Sequence, residues 1–267
     1  MKRATTLLSM LVLLLSFSLV SCDQMFSNNL FAGLTQKKIT AASVVAMTPA
    51  EIVALTASAD AMAQLAADEL AKQAALEKLA AAYGTAPTTA EGQAEAIAAA
   101  DISIKTVPDA SAFAASAISL VTDGALTSST ATASTVADAL KSILPADISG
   151  QLDSPTPPAD FLTMISAFTG AYGAYTALSA GVAGSGGAYA DPNLGSNVKM
   201  EIAVDAVISG LLSSIVPASG ESLAAALWSA LRDPSGAGTY LTLGNMDAIT
   251  GTGGTVGGLI SAAGLTL

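Results

Sequence analysis

The sequence predicts an all-α chain: a helical bundle or an array of antiparallel helical hairpins with about seven or eight helices. Three features point that way. Alanine, the strongest helix former, fills 57 of the 267 positions. Helix starts of the Thr-x-x-Glu kind precede long runs with apolar residues three and four apart. Strand-like alternation stands out at one place, with no second run nearby to pair with it. A chain with 52% hydrophobic and 12% charged residues also has the apolar surface to bury a core.

The N-terminus reads MKRATTLLSMLVLLLSFSLVSC. Lys2 and Arg3 make a basic start, and Leu7 to Val20 is almost wholly apolar, a length that suits a signal-peptide core better than a bilayer span. The stretch ends in Leu19-Val20-Ser21-Cys22. This resembles the lipobox of bacterial lipoproteins, with a large aliphatic residue three before the cysteine and small residues next to it. The resemblance covers this segment alone. It implies that residues 1–21 are a signal peptide removed before Cys22. It also implies a diacylglyceryl thioether on the Cys22 sulfur, usually with an acylated amine, and so a chain anchored in the bacterial cell envelope. In enteric bacteria an aspartate such as Asp23, just after the lipidated cysteine, goes with retention in the inner membrane. Sorting differs in other phyla, so inner and outer membrane both stay open.

Without Lys2 and Arg3, 8 basic residues face 21 acidic ones, a net charge of −13. Such a surface repels nucleic acid and anionic headgroups, so the membrane contact is expected to run through the lipid on Cys22. The acids are spread singly, Asp68-Glu69 being the one adjacent pair, as on solvated helix faces. Histidine is absent and cysteine occurs once. No imidazole can serve as base or ligand, and no disulfide can form within one chain.

Residues 22–47 form the lipidated N-terminus, where Phe26, Leu30, Phe31 and Leu34 space out one face of a short tether helix. Residues 48–267 form the helical domain. Thr48-Pro49-Ala50-Glu51 combines a capping box with proline at the first helical position. Nothing obvious breaks the pattern before Tyr83-Gly84, which predicts one helix of about 35 residues, or about 52 Å. Thr88-Thr89-Ala90-Glu91 opens a second helix running to about Ala100. Ile102 to Val107 alternates and is read as an extended connector. Pro108-Asp109 starts a helix to Val121, closed by Asp123-Gly124. The next runs from Ser134 to Leu144 and stops at Pro145. Residues 145–158 hold four prolines and are the best candidate for a linker dividing the domain in two, or for a long connection within it. Helices then follow over Asp160–Ala180, over Val198–Val216 with Asn197 as cap, and after Ser219 through Leu231. The glycine-rich remainder has room for one short turn of helix at Leu259–Leu265.

Two motifs resolve into plain structure. Only nine residues follow the glycine run Gly251–Gly258, too few for a dinucleotide fold, so it is expected to be a tail or a close helix contact. Asp191 to Asn197 has oxygen-bearing side chains at alternate positions, but its twelfth position is Ile202, so a turn is expected, not a calcium loop. Lys141 and Ser142 are adjacent on a helix and cannot face each other as a dyad. No catalytic residue, metal ligand or cofactor site is predicted.

The remaining candidate is the stripe Phe161, Phe168, Tyr172 and Tyr175, which with Ile165 keeps one helical face. It is either core packing or the lining of a hydrophobic groove for a lipid tail or a partner helix. The expected function is accordingly an envelope lipoprotein with a non-catalytic binding or scaffolding domain that recognises another envelope protein. The alternative is a carrier or transport accessory that holds a hydrophobic small molecule between helices.

Overall fold

The computed structural model describes residues 38–123, 131–251 and 253–265. The chain is all-α, as the sequence predicts: fourteen helices and one two-stranded ribbon among the described residues. The described residues from Ile39 onward make up one compact unit. No helix among the described residues is long and apolar enough to cross a membrane. Cys22 and the tether-helix residues Phe26, Leu30, Phe31 and Leu34 lie outside the described residues.

Helix α1 (Ala41–Ala46) begins at Thr40, which shares a capping box with Ser43. Helix α2 (Pro49–Thr56) begins with the Thr48–Glu51 box, Glu51 accepting the Thr48 amide at 2.6 Å. The single long helix expected to Tyr83 is corrected to three: α2, α3 (Ala59–Ala67) and α4 (Glu69–Tyr83). The breaks have local causes. Ser58 accepts the Ala61 amide and Asp68 accepts the Ala71 amide, so each caps a new helix inside the run. The breaks let α2, α3 and α4 all touch the next helix, α5. Gly84, at φ +65°, ends α4 where a side chain would be strained.

Helix α5 (Ala90–Lys105) starts at Thr89, one residue later than the predicted box, with Thr89 capping Gly92. It also takes in Ile102 to Lys105, most of the segment expected to be extended. Ile102, Ser103 and Ile104 are all buried, because α5 has neighbours on several sides and needs no polar face there. Their apparent alternation comes from hydroxyls that bond back into the helix: Ser103 donates to the Ala99 carbonyl and Thr106 to that of Ile102. Helix α6 (Pro108–Thr122) follows, ending at Asp123; Gly124 lies outside the described residues.

Helix α7 (Ala133–Ser142) is capped by Thr132. The proline-rich segment contains a short helix α8 (Ala146–Ser149) and is fastened to the body of the unit. The Trp228 indole donates to the Ser154 carbonyl at 3.0 Å, and Arg232 Nε to that of Leu152 at 2.9 Å. Helix α9 (Ala159–Gly184) is the central element, packed on α5, α6 and the later helices α10, α11 and α14. Its Gly181 lies so close to the Pro87 backbone that no Cβ fits.

Helix α10 (Ser196–Ser214) is capped at Gly195, so Asn197 sits inside the first turn and is not the cap. The Asp191–Asn197 stretch is the turn expected, with the Asn193 amide on Asp191 at 2.8 Å. Strand β1 (Val216–Pro217) pairs antiparallel with β2 (Leu241–Thr242). Helix α11 (Leu223–Arg232) is capped by Ser222; Ser219 instead donates to Glu221. A 3-10 turn (Pro234–Gly236), α12 (Ala237–Tyr240), α13 (Asp247–Thr250) and α14 (Gly257–Ala262) complete the chain. Gly258 rests over the Ser179 carbonyl, so the end of the glycine run makes a close helix contact.

Candidate functional site

The aromatic stripe is a seam of the core. Phe161 and Phe168 are fully buried and Tyr175 is 1% exposed, while Tyr172 is half-buried. The Phe161 ring lies 4.9 Å from that of Trp228, and Phe168 meets Phe113 edge-on at 5.7 Å. Partner rings lie against Phe161 and Phe168, which makes core packing, the first of the two expected roles, the one seen at these positions. None of the four lines any of the three clefts described below. Tyr175 still matters, because its hydroxyl reaches the buried floor of one of them.

That cleft, of about 600 Å³, lies between α5, α6 and α10. Helix α6 supplies Ser111, Ala114, Ala115 and Ile118, whose spacing by three and four puts them on one face. Helix α10 supplies Met200, Glu201, Val204 and Asp205 by the same rule, and α5 supplies Ile104 and Lys105. The wall is therefore mainly apolar and the charges gather at one end.

The charged end is a short network. Lys105 Nζ lies 3.1 Å from Asp101 Oδ1 and 3.0 Å from Glu201 Oε1, bridging α5 and α10. Asp205 is 4% exposed, and the Tyr175 hydroxyl on α9 donates to its Oδ2 at 3.4 Å. Its Oδ1 has no hydrogen-bond partner among the described residues. One ammonium thus faces three carboxylates, and only two of them are paired with it.

The electrostatics follow. Burial pushes the Asp205 carboxyl up to about 7, and Glu201 and Asp101 add to the rise against the pull of Lys105 and Tyr175. Burial likewise raises Asp101, with Lys105 opposing. Burial works against the Lys105 ammonium, but Asp101 and Glu201 outweigh it and hold its pKa above the ordinary value. The Tyr175 phenol lies far above its usual range, through burial and the adjacent Asp205 charge. A buried carboxyl that changes charge near neutrality, beside an apolar cleft, is a feature of binding and catalytic sites.

Two other clefts are less equipped. One of about 760 Å³ opens between α9 and the 250–265 segment, lined by glycine, serine, threonine and small apolar residues with no charge. A shallow one of about 420 Å³ is lined by Leu76, Val107 and Leu162, among others. No group of three or more acidic or cysteine side chains among the described residues is placed to hold a metal ion.

Sequence reasoning missed Asp101, Lys105, Glu201 and Asp205. One signal was present: Ile202-Ala203-Val204-Asp205-Ala206-Val207-Ile208 sets a lone acid inside an unbroken apolar run. A helix that is apolar all round is buried, so the acid within it is buried too. Comparison with protein-family models, with characterised proteins and with solved structures finds no match for this chain.

Proposed function

We propose that this chain is a lipid-anchored, non-catalytic binding protein of the bacterial envelope whose helical domain holds a hydrophobic small molecule in the α5–α6–α10 cleft. The observation that carries this reading is the cleft itself. Its volume of about 600 Å³ suits a small organic ligand, its walls are mainly apolar, and the charged side chains Lys105, Glu201 and Asp205 lie together on it. The lipobox resemblance at Cys22 supports the anchor, and acyl chains hold a chain at the bilayer by about 0.8 kcal/mol per buried methylene.

Nile red, a neutral dye that brightens in apolar surroundings, tests the cleft. Ala115 lies exposed on its α6 wall, so Ala115→Trp fills the space at little cost to folding. Dye affinity is expected to fall at least about tenfold, or about 1.4 kcal/mol, with the melting temperature unchanged. A variant that binds dye as the parent does would sink the assignment. The anchor is tested separately: metabolic labelling with an alkynyl fatty acid should mark the parent and not Cys22→Ser, which should also leave the membrane fraction. Label retained on the variant refutes lipidation at Cys22.

One observation favours a second, scaffolding reading. Leu162 is 42% exposed beside the shallow cleft with Leu76 and Val107, where an apolar side chain of a partner helix could seat. A chain that takes no dye in the α5–α6–α10 cleft would leave this face as the functional one.

A further inference from the structure

We propose that the ligand of the α5–α6–α10 cleft is an organic cation, an apolar body carrying a primary ammonium head that docks on Asp205. This inference rests on the cleft being a binding site and goes further by naming the chemical class of its ligand.

The charge balance around Asp205 selects the head group. Lys105 is shared between Asp101 and Glu201, so its single positive charge is already committed. Asp205 lines the cleft, is 4% exposed, and holds only the Tyr175 hydroxyl, at 3.4 Å on Oδ2. Its Oδ1 lacks a partner among the described residues and is not one of the fully enclosed side-chain atoms left without one, so it is open to a donor from a ligand in the cleft. A carboxylate or phosphate head would meet a surplus of negative charge. An alcohol could donate one hydrogen bond but would leave the charge uncompensated. An ammonium carries three donors and one positive charge, so it serves Oδ1 and restores the balance. The apolar walls formed by Ile104, Ala114, Ala115, Ile118 and Val204 then take the hydrocarbon body.

Binding of a cation is coupled to the protonation of Asp205. The titratable groups facing it are Asp101 and Lys105 on α5, Tyr175 on α9 and Glu201 on α10; the α6 wall presents Ser111 as its one polar side chain. Below the Asp205 pKa of about 7 the carboxyl must give up its proton to receive the ammonium. Affinity therefore rises with pH toward neutrality and levels off above it.

Three probes of equal chain length separate the possibilities: n-octylammonium, 1-octanol and octanoate. Each displaces Nile red from the mature lipidated chain in nanodiscs of zwitterionic phospholipid, with empty nanodiscs as the blank. At pH 8 octylammonium is expected to bind at least about tenfold more tightly than octanol, equivalent to about 1.4 kcal/mol, with octanoate weakest. Asp205→Asn should abolish the preference for octylammonium over octanol without lowering the melting temperature at pH 8. Octanol or octanoate binding as tightly as octylammonium, or none of the three displacing a bound dye, overturns the cationic ligand but leaves the cleft standing. An Asp205→Asn chain that keeps the ammonium preference overturns the role of Asp205. A parent chain that takes up no dye overturns the binding-site reading itself.

Discussion

Trp228→Ala is expected to lower the free energy of unfolding by about 3–5 kcal/mol. Trp228 is the sole tryptophan and is fully buried on α11. Its ring lies 4.9 Å from Phe161 at the start of α9, in a tilted arrangement that adds to plain area burial. Its indole N–H is also the donor that fastens Ser154, and with it the proline-rich segment, to α11. Alanine removes the ring, uncovers one face of Phe161 and strips the Ser154 carbonyl of its donor. The hydrogen bond alone contributes about 1 kcal/mol, and the rest of the loss comes from apolar contact and the cavity left behind. Urea unfolding followed by far-UV circular dichroism measures the effect, since the substitution removes the fluorescent reporter. Trp228→Phe keeps most of the ring and loses only the donor, so its cost should be clearly smaller. A Trp228→Ala loss below about 1 kcal/mol would show that α11 and residues 145–158 are not integral to the folded unit.

That contact marks the line between what was legible in the sequence and what was not. Local signals were legible: the Thr48–Glu51 box opens α2 where it should, and Pro108 starts α6. The signals that failed are those whose meaning depends on the rest of the fold. Ser58 and Asp68 look like ordinary polar positions on one long helix, yet both cap new helices because the chain must bend along α5. Ile102 to Val107 alternates in sequence, but burial of the successive residues Ile102, Ser103 and Ile104 puts them in the last turn of α5. The four prolines of 145–158 suggest a boundary, and only the partners of Ser154 and Leu152, more than seventy residues away, show that the segment is packed down. The stripe of Phe161, Phe168, Tyr172 and Tyr175 was legible as a helical face. Whether it would be covered depended on Phe113 and Trp228, which no spacing rule connects to it. The cleft was the least legible feature, because Asp101, Lys105, Tyr175, Glu201 and Asp205 come from three helices and meet only after folding.

Asp205 should make the protein less stable as pH rises, opposite to the usual trend for a salt-bridged carboxylate. Its pKa is about 7 in the folded chain against an ordinary value of 3.8, so at intermediate pH the folded state holds a proton that the unfolded state has released. Below about pH 4 both states are protonated and the group contributes nothing. Between there and about pH 7 the folded state loses ground steadily, and above pH 7 the penalty is constant. A rise of about 3 pKa units at about 1.36 kcal/mol each sets its size near 4 kcal/mol. Asp205→Asn keeps an oxygen to accept the Tyr175 hydroxyl and removes the charge. In the ligand-free state it should therefore match the parent near pH 4 and exceed it by up to about 4 kcal/mol at pH 8. Asp101 and Glu201 are present in both chains, so the difference between the two pH profiles isolates Asp205. Urea midpoints measured from pH 4 to 8.5 give both profiles, and parallel curves would show that Asp205 carries no such penalty. A residue that costs the fold this much at neutral pH, when asparagine would not, is hard to explain by stability. It is understandable if the buried charge serves a ligand, because a cation seated on Oδ1 would remove the penalty on binding. The stabilising effect of octylammonium should then shrink in Asp205→Asn, since the penalty it relieves is already gone.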